Sequence, residues 1–473
     1  MPELRHPIGP LSDVARALRS GTVRASQLVE LAADRHAVLG ERLRAYVSFD
    51  AAAARQQARE ADAAFAVGTD AGPLQGIPCS VKDLYAVAGF PTYAGSPHRL
   101  PAAWEKEGPL VGRLRQQLAV ITGKTHTVEF AFGGLGTNPH WPIARNPWDA
   151  TAERVAGGSS AGAGISLLEG SALVALGTDT AGSVRIPASF AGVVGLKTSA
   201  GRWPTGGIVP LSPTLDTAGL LARTVADAGF AFEALDGHHA EPSTERTGRR
   251  WRLGVPEQLV WDDCGAGVAE SVQAALSEIE ARGVACRALI VPEILGAHEL
   301  FLAGGPVAAE LWEFLTRELP DWIPTLDPNV GGRLGSAAEI GAAEYEARVE
   351  RLRELALAVS SRFEGPTGVE RVDAWVMPTV PIGAPLLDDV ATRAGYRQAN
   401  LLALRNTALA NYLGLCALSL PVGLDASGLP VGLQLLAPHG EERRLLALGI
   451  DVESWLGTGA QRLGIPPLLH SSL

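Results

Sequence analysis

Cysteine is scarce in this chain of 473 residues, and the four cysteines lie far apart. They stand at positions 79, 264, 286 and 416, and no two of them form a C-x-x-C pair. This spacing predicts neither a zinc site nor a disulfide framework. It is typical of reduced thiols in a cytoplasmic protein, so we expect no metal site.

Long apolar runs are also missing. No stretch approaches eighteen uncharged apolar residues without glycine or proline, so no membrane span is predicted. The first residues, MPELRHPIGPLSDVARALRSG, lack the continuous apolar segment that a secretory signal needs. Together with the cysteine pattern, these absences predict a soluble protein located in the cytoplasm.

Basic residues are outnumbered in the sequence. The chain has 40 Lys and Arg against 51 Asp and Glu, a formal net charge of −11. This balance argues against non-specific binding to nucleic acid or to an anionic membrane. Apolar residues make up 47% of the chain, enough for a sizeable core, so wholesale disorder is not expected.

Apolar patterns predict helices and strands that alternate along much of the chain. Helices are predicted at 50–66, 111–118 and 266–281, and over most of 297–365. Buried strands are predicted at 77–81, 119–122, 252–255, 285–290 and 374–377, and two final strands flank a turn at 426–428. The polar stretch 236–250 predicts a linker or surface crossing. Such alternation predicts an α/β fold.

The most unusual segment runs from Gly157 to Thr198 and reads GGSSAGAGISLLEGSALVALGTDTAGSVRIPASFAGVVGLKT. A flexible linker would not carry apolar pieces such as LVALG and VVGL between its glycines. Small residues at this density indicate close approach of backbone to backbone, or backbone N–H groups directed at a ligand. The segment is therefore a candidate site.

Serine-based hydrolysis needs a nucleophile, a base and donors for an oxyanion, and three interpretations compete here. The sequence GSSAG matches the G-x-S-x-G elbow centred on Ser160, but the segment before it predicts no strand. Ser159 and Ser183 are alternatively ordinary residues of tight turns. The third interpretation joins these two serines to Lys82, since burial at the end of a strand lowers the pKa of a lysine.

Several blocks of the sequence resemble the amidase signature family. GIPCSVKD, GGSSAGAG and GTDTAGSVRIPASFAGVVGLK occur in the family's order, and MPTVPIGAP, LCALSLPVG and GLPVGLQLLAPHGEE are similar to its C-terminal landmarks. The resemblance spans nearly the whole chain and is weakest from about 236 to 370. It implies a single amidase domain over 1–473: N-terminal helices at 1–70, a signature core at 71–235, a variable, mostly helical, substrate-covering region at 236–370, and the C-terminal part of the core at 371–473.

The resemblance implies an α/β/α sandwich around a large, mixed, twisted β-sheet. It also implies hydrolysis of a carboxamide C–N bond to an acid plus ammonia or an amine, with no metal or organic cofactor. In such Ser–cis-Ser–Lys enzymes the nucleophile matches Ser183, the bridging serine Ser159 and the base Lys82. The runner-up is the amidase component of a glutamine-dependent tRNA amidotransferase complex, which shares these residues.

The resemblance further assigns supporting roles. Asp179 and Arg185 are expected to pair and brace the loop around the nucleophile, and Ser160 is expected to hydrogen-bond the nearby backbone. The oxyanion hole matches the backbone N–H groups of Thr180, Ala181, Gly182 and Ser183. The expected partner is a small-molecule amide, whose class the sequence does not decide, and a homodimer is left open.

Overall fold

The computed structural model describes residues 9–237, 248–335, 337–364 and 371–472. Most of the predicted linker or surface crossing at 236–250 lies outside the described residues. Within the described part, eleven strands form one sheet. They are β1 (Tyr46–Phe49), β2 (Pro78–Lys82), β3 (Val120–Thr125), β4 (Val174–Asp179), β5 (Val194–Lys197), β6 (Thr217–Ala222), β7 (Arg252–Pro256), β8 (Ala285–Leu289), β9 (Ala374–Pro378), β10 (Cys416–Leu424) and β11 (Pro430–Ala437).

Helices cover the sheet and fill the connections between its strands. They are α1 (Leu11–Arg19), α2 (Ala25–Leu43), α3 (Ala51–Ala66), α4 (Pro109–Gln116), α5 (Ala161–Glu169), α6 (Arg185–Ala191), α7 (Val225–Asp236), α8 (Val268–Glu280), α9 (Glu293–Leu302), α10 (Val307–Glu318), α11 (Pro328–Leu334), α12 (Ala342–Glu364), α13 (Arg393–Tyr412), α14 (Glu442–Leu456) and α15 (Gly459–Leu463). No helix in these described ranges combines the length and the apolar content that crossing a membrane requires.

The strand order is β1-β3-β2-β4-β6-β5-β10-β11-β9-β7-β8. Pairing is parallel between β2 and its neighbours β3 and β4, and between β7 and its neighbours β8 and β9. The remaining pairs are antiparallel, so the sheet is mixed. The predicted α/β fold around a large, mixed, twisted sheet is confirmed.

The strands predicted from apolar runs correspond to β2, β3, β7, β8 and β9, and β10 and β11 form the predicted pair around a turn at 426–428. Four strands were not predicted as such. Two of them, β4 and β5, lie inside the glycine-rich segment and are built from its apolar pieces LVALG and VVGL. The glycines concealed these strands because glycine ordinarily weakens a strand.

Two neighbouring strands in the sheet, β2 and β4, each end in a charged residue. All five residues of β2 are buried, and the strand lies between the parallel strands β3 and β4. Since parallel strands end at the same edge of a sheet, Lys82 at the end of β2 and Asp179 at the end of β4 share that edge. Helix α6 and the loop before it therefore begin beside Lys82.

Helix α5 begins next to the first serine turn, and Gly162 in its first turn fits tightly against other backbone. A Cβ atom at Gly162 would lie 1.9 Å from the carbonyl oxygen of Ala45 and 2.7 Å from the amide nitrogen of His126. The N–H of Gly162 also donates to the carbonyl of His126 at 3.0 Å. Only glycine allows this approach.

We predict that Gly162→Ala lowers the free energy of unfolding by about 3 kcal/mol, because the added methyl group meets backbone atoms that have no room to move. Chemical denaturation monitored by circular dichroism measures the loss. The matched control is Gly229→Ala in α7, where nothing lies within 4 Å of the added Cβ. Since alanine is the better helix former, that variant should be as stable as the parent or more stable. Equal losses in both variants would contradict the prediction.

Candidate active site

Lys82 lies in the interior of the protein, with no part of its side chain exposed. Its Nζ atom is 2.7 Å from Ser159 Oγ and 2.8 Å from Thr178 Oγ1, and both contacts are hydrogen bonds to hydroxyl groups. Burial lowers the pKa of Lys82 to about 7, although the negative charges of Asp179 and Asp216 oppose that shift. A large fraction of this amine is therefore neutral near pH 7.

Ser159 follows a cis peptide bond to Gly158 and precedes the first residues of α5. The carbonyl of Ser159 accepts a hydrogen bond from the N–H of Val128 at 3.2 Å. In the adjoining residue, the N–H of Ser160 donates to the carbonyl of Ser183 at 3.1 Å. The two serine turns of the glycine-rich segment are thus in direct contact.

Ser183 lies in the loop between β4 and α6 and is 3% exposed. The left-handed position in this loop is Gly182, with φ +133, whereas Ala181 adopts no positive φ. The N–H of Gly182 donates to Asp179 Oδ1 at 2.8 Å. The N–H groups of Thr180, Ala181 and Ser183 have no acceptor among the described residues.

Asp179 and Arg185 form a fully buried ion pair. Arg185 contacts both oxygens of Asp179, with Nη2 2.7 Å from Oδ1 and Nε 3.0 Å from Oδ2. Burial alone would raise the pKa of Asp179, but the charge and hydrogen bonds of Arg185 outweigh it and lower that pKa to about 2. Arg185 also donates to groups on α13 and β11, at Thr407, Asn411 and Gln434.

The side chain of Ser160, the centre of the elbow match, contributes little to this cluster. Its Oγ is 3.4 Å from the carbonyl oxygen of Thr178, a long hydrogen bond to the backbone, and the residue stands at the start of α5. The segment immediately ahead of it is not a strand. The structural context that a nucleophile elbow requires is therefore absent around Ser160.

Two residues that contact this cluster were not identified from the sequence. Thr178 provides the second hydroxyl contact of Lys82. Asp216 accepts a hydrogen bond from Thr180 Oγ1 at 2.6 Å, and burial raises the pKa of Asp216 to about 6. The only signal for Asp216 was its place in the block TLDTAG, which follows the glycine-rich segment.

Asp83 follows Lys82 in the sequence, but its ion pair is with a different lysine. Asp83 Oδ1 lies 2.9 Å from Lys124 Nζ, and both side chains are fully buried. The other carboxylate oxygen accepts from the N–H of Tyr93 at 3.1 Å. Asp83 therefore forms its ion pair with Lys124. The hydrogen bonds of Lys82 are instead with the hydroxyl groups of Ser159 and Thr178.

A cavity of about 240 Å³ adjoins the cluster. Thr178 and Asp216 form part of its wall, together with Ala131, Trp104 and the loop 205–211. It therefore borders residues that contact both Lys82 and the loop of Ser183. Within the part of the chain that the structure covers, no group of three or more His, Cys, Asp or Glu side chains is placed to hold a metal ion.

The family model described as Amidase matches residues 27–446. The chain belongs to the amidase family. It is an enzyme that acts on carbon–nitrogen bonds other than peptide bonds. A solved structure described as an amidase matches with a TM-score of 0.84 at 33% identity, covering 95% of this chain and 100% of that chain.

Curated relatives of this amidase carry several activities. A 2-amino-5-chloromuconic acid deaminase from Comamonas testosteroni is 46% identical, with 97% of this chain and 98% of the relative aligned. An indoleacetamide hydrolase from Pseudomonas savastanoi is 33% identical over 88% and 90%. A mandelamide hydrolase from Pseudomonas putida is 32% identical over 95% and 92%. The tRNA amidotransferase alternative is therefore less well supported than a hydrolase.

We predict that Arg185→Met lowers the free energy of unfolding by about 3–5 kcal/mol, because it leaves the carboxylate of Asp179 buried without its partner. Urea denaturation followed by tryptophan fluorescence measures the change. Arg55→Met is the matched control, since Arg55 pairs with Glu30 at the surface, and it should leave stability almost unchanged. Similar losses in both variants would show that the buried pair does not brace the loop.

Proposed function

We propose that this amidase hydrolyses a small-molecule carboxamide through an acyl-enzyme on Ser183, with Ser159 as proton relay and Lys82 as base. The observation that carries the proposal is the fully buried Lys82 amine, 2.7 Å from Ser159 Oγ. A lysine acts as a base only when its amine is neutral, and burial favours that form. Contact between the two serine turns, through Ser160 N–H and Ser183 C=O, supports the place of Ser183 beside this pair.

In the proposed first step, the oxygen of Ser183 attacks the amide carbon while its proton passes to Ser159 and the proton of Ser159 passes to Lys82. The carbonyl electron pair moves to oxygen. When the C=O bond forms again, the C–N bond breaks, and the departing nitrogen takes a proton from Ser159, which recovers one from Lys82. Water then attacks the ester by the same route and releases the acid, with Ser183 restored.

The oxyanion formed in each step needs hydrogen-bond donors that are already in position. We assign the backbone N–H groups of Thr180, Ala181 and Ser183, because they have no acceptor among the described residues. The N–H of Gly182 already donates to Asp179, so its proposed contribution is to shape the loop through its positive φ. The ion pair of Asp179 with Arg185 would hold that loop against α13.

A second candidate is release of ammonia from an amino-substituted muconic acid. It is supported by the strong similarity to the deaminase from Comamonas testosteroni, which extends over nearly the full length of both proteins. Ammonia release from a panel of neutral amides and from 2-aminomuconate distinguishes the two. Turnover of 2-aminomuconate alone would favour the deaminase, and turnover of simple amides without tRNA, ATP or another protein would exclude the amidotransferase.

The cellular location and the oligomeric state of the enzyme are also part of the proposal. All four cysteines are free in the structure, which supports a location in the reducing cytoplasm. A homodimer remains a prediction that light scattering of the purified protein would test.

We expect Ser183→Ala to lower kcat by at least about 10⁴-fold on any amide that the parent hydrolyses, because the nucleophile is removed. Mass spectrometry of the quenched parent enzyme with a slow substrate should show an acyl group on Ser183. Ser189→Ala is the matched control: it is a buried serine on α6 whose Oγ accepts from Gly432 N–H and makes no hydrogen bond to Lys82. Full activity in Ser183→Ala with loss in Ser160→Ala would favour the elbow interpretation instead.

We expect kcat/KM to rise with pH through the pKa of Lys82, which lies at about 7. The charged amine cannot accept a proton, so below pH 7 the rate should fall about tenfold per unit, and above pH 8 it should level off. Initial rates from pH 5 to 10 on a non-ionising amide measure the profile. Lys82→Arg, which stays charged throughout this range, should be inactive at every pH. A rate that increases towards acid would refute Lys82 as the base.

A further inference from the structure

Arg333, near the end of α11, has an unusual environment for a cation. Its Nε donates to the carbonyl of Asn329 at 2.8 Å, and its Nη2 donates to the carbonyl of Phe132. The guanidinium carbon also lies 3.9 Å from the centre of the Phe132 ring. Both hydrogen bonds are to neutral carbonyl groups, and they use two of the five N–H donors that an arginine offers.

No carboxylate forms an ion pair with Arg333 in the described part of the chain. Burial lowers the pKa of Arg333, and Asp327 is the nearby acid that opposes the shift. The carboxylate of Asp327 instead accepts from the N–H of Asn329 at 2.8 Å. Because arginine remains charged in proteins, Arg333 is a half-buried positive charge without an ion pair among the described residues.

The hydroxyl group of Tyr396, on α13, lies near the guanidinium group of Arg333. A Cβ atom at Gly133 would lie 2.5 Å from the hydroxyl oxygen of Tyr396 and 3.8 Å from Arg333 Nη2. The absence of a side chain at Gly133 therefore lets the hydroxyl of Tyr396 pack against its backbone, close to the guanidinium of Arg333. The side chain of Thr137 interacts with the hydroxyl of Tyr396.

The backbone at Gly133, beside Arg333 and Tyr396, adjoins the serine turn of the active site. The methyl groups of Val128 lie 3.1 Å from the Cβ position of Gly133 and 3.0 Å from that of Gly158. The N–H of Gly158 donates to the carbonyl of Gly134 at 2.8 Å, and the N–H of Val128 donates to the carbonyl of Ser159. One residue, Val128, thus separates the backbone beside Arg333 from the backbone beside the proposed relay serine.

We propose that Arg333, together with the hydroxyl of Tyr396, binds a carboxylate of the substrate at the end remote from the scissile C–N bond. The substrate class is then an acid that also carries the bond to be cleaved, such as the monoamide of a dicarboxylic acid. An arginine with free N–H donors binds a carboxylate in a planar, two-point geometry that a neutral amide does not match. This assignment rests on the proposed function and names the substrate class of that same site.

Kinetics on matched substrate pairs test the assignment. The acid amides are succinamate, glutaramate and adipamate, and their neutral counterparts are the corresponding diamides, which have nearly the same shape. The parent enzyme should prefer at least one acid amide over its diamide. For that substrate, Arg333→Met should lower kcat/KM about 100-fold, mainly through KM, and Tyr396→Phe about tenfold, since each variant removes a donor to a charged group. Turnover of the diamide should change less than about threefold.

The controls separate a binding role from a structural one. Arg353→Met removes an exposed arginine of α12 and should leave both substrates unaffected. Arg333→Lys keeps the charge and should recover part of the preference for the acid amide. If Arg333→Met does not fold, Tyr396→Phe and Arg333→Lys decide the question. Equal losses on the acid amide and the diamide, or a parent enzyme without preference for acids, would overturn the assignment.

Binding without turnover distinguishes failure of this assignment from failure of the proposed chemistry. Isothermal titration of the preferred acid amide into Ser183→Ala should give a dissociation constant that rises about 100-fold when Arg333→Met is added. If Ser183→Ala retains full turnover, the proposed nucleophile is wrong while the effect of Arg333 on binding is still measured. If Ser183→Ala is inactive but Arg333→Met leaves the affinity unchanged, the chemistry stands and the carboxylate site is refuted.

Discussion

The buried amine of Lys82 is the constraint on which the rest of the site depends. An isolated charged ammonium is costly in the protein interior, so its protonation depends on the groups that surround it. The structure gives it two hydroxyl contacts, Ser159 and Thr178, and among the described residues no carboxylate is in direct contact with it. The adjacent carboxylate, Asp83, is paired with Lys124. Because Asp83 pairs with Lys124, it makes no ion pair with Lys82, and the pKa of Lys82 stays at about 7. The buried carboxylate of Asp83 still has a charged partner.

The loop of Ser183 is likewise held by charged groups that pair with each other and not with Lys82. The carboxylate of Asp179 accepts from the N–H of Gly182 and from Arg185, and Arg185 reaches on to α13. The loop is thus fixed by a charged pair that does not itself contact Lys82 through a hydrogen bond. The N–H of Val184 also donates to Asp179, whereas those of Thr180, Ala181 and Ser183 have no acceptor among the described residues and are the proposed donors to an oxyanion.

Local patterns were sufficient to predict β2, its buried terminal lysine and the overall α/β class. They were not sufficient to choose among the serines, because that choice depends on contacts between segments distant in sequence. The resemblance to the amidase signature family selected Lys82, Ser159 and Ser183, and the structure brings the first two into contact. Thr178 and Arg333 escaped prediction for the same reason: their partners lie 96 and 201 positions away.

The position of Arg333 suggests how chemistry and selectivity are divided within the chain. The residues assigned to catalysis come from strands and turns of the central sheet, where burial sets their protonation. Arg333 comes from α11, in the region 236–370 where resemblance to the family is weakest. A charge placed there attracts an anionic substrate without lying beside the amine of Lys82, whose pKa a nearby cation would lower further. Substitutions in α11 can therefore change the substrate while the acid–base properties of the core are retained.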